Sequence, residues 1–306
     1  MRILGTGSTA AKKIVTNDDL AKTMETSDEW IRERTGIAQR HVAEADESPA
    51  TLGAEASRRA IEMAKLSAED IDLILVATAS SMQRVPSISC QIQAIIGAAN
   101  AACIDVNAAC AGFMTALTMA DAYLKAGAFN KVLVIGTETL SDMVDWTDRT
   151  SCILFGDGAG AVVVTAGGND LIYSLGADGT KGDALSCQIG AGVVMDGKEV
   201  YRFATRTVPI CMKDAMDKAG ITPADIDVFL LHQANIRIIE AIAKSMKEPM
   251  EKFPVNIANY GNMSSASIPV LLDEQVRAGK INAGDRIIMS GFGAGLTYGA
   301  CILVWS

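Results

Sequence analysis

Three blocks of this 306-residue chain recur at a single spacing, and that recurrence limits the fold more than any other feature. LSAEDIDLILVATAS (66–80) aligns with ITPADIDVFLLHQAN (221–235), matching Asp70 with Asp225, Ile71 with Ile226, Asp72 with Asp227, Leu75 with Leu230 and Ala79 with Ala234, an offset of 155 residues. The same offset pairs KVLVIG from Lys131 with RIIMSG from Arg286, and NAACAGF from Asn107 with NMSSASI from Asn262. Two copies at about half the chain length argue for a fused pair of domains, 1–165 and 166–306, rather than a solenoid. Each half reads as a helix, an Asp-Ile-Asp turn, a buried strand, a small-residue helix and another buried strand. That order predicts an α/β fold with mostly parallel pairing and a pseudo-twofold axis between the halves.

The duplication makes Cys110 equivalent to Ser265, Ala77 to His232 and Asn107 to Asn262. Ala102–Val106 reads as a strand, and Phe113, Leu117, Ala120 and Leu124 recur at helical spacing after it, so Cys110 falls where a helix begins. Free amides and the helix dipole there favour thiolate, which predicts a lowered thiol pKa. The structural alternative is a small Cys buried in an Ala-rich segment. His232 ends the apolar run VFLL with a polar HQAN, whereas His41, in QRHVAEADES, reads as a surface-loop residue. Taken alone, His232 is compatible with a structural histidine, and Asn262 with a turn or cap residue. If both halves open onto one crevice, however, thiol, imidazole and carboxamide face one another.

Several function classes are excluded on the way. A formal charge of −9 counts against nonspecific nucleic-acid binding, and an acidic partner then needs a local basic patch. No apolar run reaches the roughly 18 residues of a membrane span, and MRILGTGS lacks a secretory pattern, so a cytoplasmic protein without membrane insertion is expected. Seven scattered Cys without CxxC spacing predict reduced thiols and neither a disulfide framework nor a metal site. GTGSTA from Gly5 mimics a dinucleotide fingerprint but lacks the rest of a Rossmann unit, so it reads as a tight glycine turn. FGDGAGAVV and GFGAG read as tight turns and close backbone approaches. Cys, His and Asn do follow the chain order of papain-like hydrolases, but the CGSCW surroundings of that nucleophile are absent.

TSDEWIRERTGI (26–37), CQIQAIIG (90–97), AACAGF (108–113), DRTSCILFGDGAGAVV (148–163), LHQANIRII (231–239), NYGNMSSASIP (259–269) and SGFGAGLTYG (290–299) resemble the β-ketoacyl-acyl carrier protein synthase III family of the thiolase superfamily over nearly the whole chain. The resemblance implies a five-layered αβαβα fold, usually homodimeric, that condenses an acyl-CoA with malonyl-acyl carrier protein through an acyl-cysteine. It implies no separate cofactor. Its catalytic set is Cys110, His232 and Asn262, with an oxyanion hole from the backbone N–H groups of Cys110 and Ala294. CoA would be held by Trp30, Arg34, Arg149 and Asn235. Carrier-protein contacts would come from Gln233, Ala234, Asn235, Ile236, Arg237 and Lys244, aided by Arg202 and Lys247. The acyl pocket would involve Val85, Phe155 and Met195. Arg32, Arg34 and Arg40 equally suit a solvated charge cluster, and the helix carrying Arg237 and Lys244 equally suits an ordinary amphipathic helix. Three departures stand out: Val85 where some members carry a bulky aromatic, a short 178–197 segment, and Met263 where Thr is common. An ester-forming or secondary-pathway condensing enzyme is the alternative function.

Overall fold

A computed structural model describes residues 1–188 and 190–306. The chain begins with β1 (Arg2–Ala10), then the paired strands β2 (Lys13–Thr16) and β3 (Gln39–Val42), with helices α1 (Asn17–Ala21) and α2 (Asp28–Thr35) between them. It continues through α3 (Pro49–Met63), β4 (Leu73–Ala77), α4 (Ile88–Ile96), β5 (Ala102–Val106), α5 (Gly112–Lys125), β6 (Lys131–Thr139) and β7 (Asp157–Thr165). The remainder holds β8 (Ile172–Ala177), the short pair β9 (Leu185–Ser186) and β10 (Val194–Met195), α6 (Gly197–Ala219), β11 (Val228–Leu231), α7 (Ile236–Met246), α8 (Ile257–Tyr260), α9 (Ser267–Arg277), β12 (Arg286–Gly293) and β13 (Thr297–Val304).

Among the described residues, two larger sheets result beside the pairs β2-β3 and β9-β10, ordered β1-β7-β6-β4-β5 and β11-β12-β13-β8. Their strands are apolar on both faces because both faces are covered. Leu73, Leu75, Val132, Val134, Ile287 and Met289 point into a central core with α5 and α9. Ile74, Val76, Leu133 and Ile135 point outward to α3 and α4, while Phe229, Leu231 and Ile288 point outward to α6 and α7. Helices outside, sheets next and a shared helical layer in the middle give the αβαβα stack.

The 155-residue offset reaches individual backbone angles. Ala109 and Ser264 are equivalent, and both hold φ at 46°, a region that L-residues rarely occupy. Asn107 Oδ1 accepts from the Ala109 amide at 3.2 Å, and Asn262 Oδ1 accepts from the Ser264 amide at 2.8 Å. Asp72 receives the amide of Lys131, and Asp227 that of Arg286, so the Asp-Ile-Asp turns clamp equivalent strand starts.

Four expectations change. Pairing is mixed rather than mostly parallel: β4-β5, β4-β6 and β11-β12 run parallel, but β1-β7, β6-β7, β12-β13 and β13-β8 run antiparallel. The three-residue connection Ala294–Leu296 is far too short for a crossover, so β13 has to return antiparallel. GTGSTA is not a turn but the interior of β1, where side chains on Gly5 and Gly7 would collide with the carbonyls of Ala60 and Ala56 on α3. Gly158 and Gly160 likewise lie inside β7, so FGDGAGAVV supplies close approaches without a turn. His41 is a half-buried strand residue, stacked 5.4 Å from Tyr260 with Nδ1 2.6 Å from the Ala11 carbonyl.

Candidate active site

β5 and α5 form over the segments expected, and a single-turn helix, Ala109–Ala111, links the second to the first. Cys110 lies in that turn, two residues before α5 begins at Gly112. The reason it can sit there is Gly293, because any Cβ at that position would lie well inside contact distance of the Cys110 amide. The same packing brings the end of β12, and hence Ala294, beside the Cys110 backbone. His232 continues β11 through its amide, which donates to the Ser290 carbonyl at 2.9 Å. Its ring packs edge-on to Phe292 at 5.7 Å, and Nδ1 is buried without a partner. The opposite ring edge is therefore the one available to a ligand.

Asn262 is held by backbone on both sides: its N–H donates to Leu154 at 2.8 Å, and its carbonyl accepts from Gly156 at 3.0 Å. The Ser264 amide can only donate, so the Asn262 atom facing it is the carboxamide oxygen. The NH₂ group is thereby left as a donor. Cys110, His232 and Asn262 line one narrow cavity of about 120 Å³. A wider cavity of about 450 Å³ lies on the far side of Cys110, bordered by Asn107, Leu140, Met143 and Val193, and Phe155 borders both.

Electrostatics overturn one expectation. Burial pushes the Cys110 thiol up to about 12; a hydrogen bond from Ser264 works against this, and the Glu138 charge adds to it. Desolvation of the anion therefore outweighs the helix-start amides that predicted a low value. Burial also drives the His232 imidazole down to about 3, so the ring is neutral. The resting site pairs a thiol with an uncharged ring.

Residues 104–179 match the family described as 3-oxoacyl-[acyl-carrier-protein] synthase III, and residues 216–305 match its C-terminal part. A β-ketoacyl-[acyl-carrier-protein] synthase III 1 of Bacillus cereus is 47% identical, covering 99% of this chain and 98% of its own. The chain belongs to the 3-oxoacyl-[acyl-carrier-protein] synthase III family. Among solved structures, the synthase III of Aquifex aeolicus superposes with a TM-score of 0.97 at 42% identity, covering 99% of each chain. The priming β-ketosynthase of the R1128 polyketide pathway reaches a TM-score of 0.95 at 38% identity, covering 99% of this chain and 96% of its own.

In this chain, Trp30 and Arg34 share a face of α2, and the Arg34 and Arg149 guanidinium groups lie 4.3 and 4.8 Å from the indole centroid. Arg34, Lys198, Arg202 and Arg237 surround a surface groove, also bordered by Tyr201, that adjoins the narrow cavity. Asn235 borders the groove, but its carboxamide is occupied: Oδ1 caps α7 at the Arg237 amide and Nδ2 donates to the Arg34 carbonyl, both at 2.9 Å. It ties α2 to α7.

Gln233 does not belong to a docking surface. It is 1% exposed, with Nε2 donating to the Leu231 carbonyl and Oε1 accepting from the Asn256 amide, because the strand end turns it inward. Ala234, Asn235 and Ile236 are half-buried, while Arg237 and Lys244 are exposed on α7, whose Ile238, Ile239 and Ile242 are buried. Arg40 is likewise no surface charge. It is fully buried, and its Nη atoms donate to Asn17 and to the carbonyls of Val15 and Ile153.

Met195 lines the narrow cavity rather than the wide one, and Val85, 79% exposed, lines neither. Ile189, within the 178–197 segment, lies outside the described residues. The Met263 side chain is buried against Ala266 and Val270, so it fills core instead of facing the sulfur.

The sequence reading missed Ser264, Gly293 and Glu138. The signal was available: at the 155-residue offset Ser264 matches Ala109, and Gly293 matches a glutamate.

Proposed function

We propose that Cys110, His232 and Asn262 carry out the condensation that defines the synthase III family, with acyl-CoA as primer and malonyl-acyl carrier protein as extender. The observation carrying this is that one narrow cavity is lined by all three side chains. Cys110 sulfur attacks the thioester carbonyl, and CoA leaves with the proton the sulfur gives up. The backbone N–H groups of Cys110 and Ala294 receive the oxyanion. Malonyl-acyl carrier protein then loses CO₂, and its enolate attacks the acyl-cysteine to give a 3-oxoacyl-acyl carrier protein, expelling the Cys110 thiolate, which takes a proton from solvent to restore the thiol.

A neutral His232 and the Asn262 NH₂ donate to the enolate oxygen, each worth about 3 to 4 kcal/mol in the transition state. An amide suits this place because a carboxylate would repel both malonyl and enolate charge. Trp30, Arg34 and Arg149 take the CoA adenine and phosphates, since planar cations and an indole match a purine and its phosphates. The cations around the mouth, with Arg237 and Lys244, answer the acidity of the carrier protein despite the net charge of −9. The two halves, 1–165 and 166–306, contribute nucleophile and donors respectively. A homodimer accounts for the edge position of β5 and for the exposure of Met82, Val85 and Ile95.

The test is intact-protein mass spectrometry with a panel of acyl-CoAs, followed by malonyl-acyl carrier protein. An adduct that malonyl-acyl carrier protein discharges as a 3-oxoacyl product supports the reading, and absence of any adduct overturns it. The chain-length profile also separates fatty acid priming from a polyketide-type primer, the reading that similarity to the R1128 ketosynthase keeps in view.

A further inference from the structure

Glu138 is fully buried, yet nothing in the condensation uses it. Its Oε2 accepts from the amides of Ala79 and Ser80 at 3.0 and 3.1 Å and from the hydroxyls of Thr78 and Ser80 at 3.3 and 2.7 Å. Its Oε1 faces the Ser265 amide at 3.4 Å and the Ser265 hydroxyl at 2.8 Å, a hydroxyl that also lies 2.9 Å from the Ala77 carbonyl. Both oxygens thus take backbone N–H groups, which can only donate.

The duplication explains the arrangement. Glu138 matches Gly293, Ser265 matches Cys110, and residues 77–80 match 232–235. In the working cradle, position 293 has no side chain, so its backbone closes onto the Cys110 amide. In its twin, a built-in carboxylate lies against the Ser265 amide and hydroxyl. The turn held this way is the one that aims Asn262: Ser265 follows Ser264, whose amide fixes the Asn262 oxygen and whose φ of 46° needs outside support.

We propose that Glu138 is a positioning residue for Asn262, acting through Ser265 and Ser264 from the twin cradle. This rests on the donor role of Asn262 given above. Glu138→Gln keeps the shape but sets an NH₂ group against donors on one side or the other, which loosens the turn. Decarboxylative condensation should fall about 10- to 100-fold, while acylation of the protein by acyl-CoA changes by less than about 3-fold. Ser265→Ala, which keeps the fold should Glu138→Gln not, should shift the same ratio in the same direction. If both variants fold, their combination should be less than multiplicative, since they act along one path.

The two half-reactions are measured separately for wild type, the three variants and Asn262→Ala. Equal losses in both steps, or multiplicative effects, would assign Glu138 a merely structural role and overturn the proposal. Unchanged condensation in Ser265→Ala would also overturn it. If Asn262→Ala itself condenses normally, the donor reading fails first; if Asn262→Ala loses condensation and Glu138→Gln does not, only the present inference fails.

Discussion

The two cradles built around Cys110 and Ser265 share a turn but differ in how closely the facing strand approaches it and in a handful of side chains, and on the proposed reading those differences decide which one holds a substrate. Both have an asparagine accepting from the amide two residues on, a left-handed residue at φ 46° and a helix beginning at the same step. One then has cysteine, a histidine strand end and glycine at 293; the other has serine, alanine at 77 and glutamate at 138. A fold can therefore preserve the geometry of a reactive turn without preserving the reaction. On the proposed reading, the reaction requires in addition an uncovered amide and a neutral donor pair.

The sharpest way to break this comparison is to exchange nucleophile loss between the twins. Cys110→Ala should abolish the acyl adduct in mass spectrometry and cut turnover by at least about 1000-fold, whereas Ser265→Ala should still be acylated; adduct on the Cys110 variant would refute the assignment. Next comes the glycine. Gly293→Ala places a methyl against the Cys110 amide, so single-turnover acylation should slow by at least about 100-fold, while wild-type rates would mean that this amide does not serve the oxyanion. Asn262→Asp should then lower condensation about 100-fold more than acylation, yet Asn107→Asp, which retains the oxygen its turn needs, should stay within about 3-fold in both steps. A ratio near unity for Asn262→Asp removes the enolate role.

The smallest effect concerns acid stability. His232 is held near 3 when folded against an ordinary 6.5, so between those values the unfolded chain binds more protons and stability declines as pH falls. Going from pH 7 to pH 5 should cost roughly 2 kcal/mol through this residue. His232→Gln should flatten that part of a denaturant-midpoint profile; parallel profiles would show that the ring is not held neutral.

The candidate set was readable from sequence because Cys110 and His232 occupy repeat positions whose partners are Ser265 and Ala77. Asn262 has an asparagine twin at 107 and was picked out by its place in the equivalent turn and by the family resemblance. The doubled α/β order was legible for the same reason, together with strands such as LILVA that are buried on both faces. Other features depend on what packs against a segment. The thiol pKa follows from burial that helix position alone does not reveal, and Gln233 turns inward through partners at 231 and 256. Gly5 and Gly7 serve a helix some fifty residues away in sequence. Glu138 gathers donors from two distant stretches, 78–80 and 265, so no local motif marks it.

The depth of Cys110 has a practical sequel. Thiolate is the species that attacks peroxides and oxidised glutathione, and a sulfur held as thiol up to about 12 reacts little with them between turnovers. On the proposed reading the sulfur keeps its proton until a thioester arrives, so an idle Cys110 should resist oxidation.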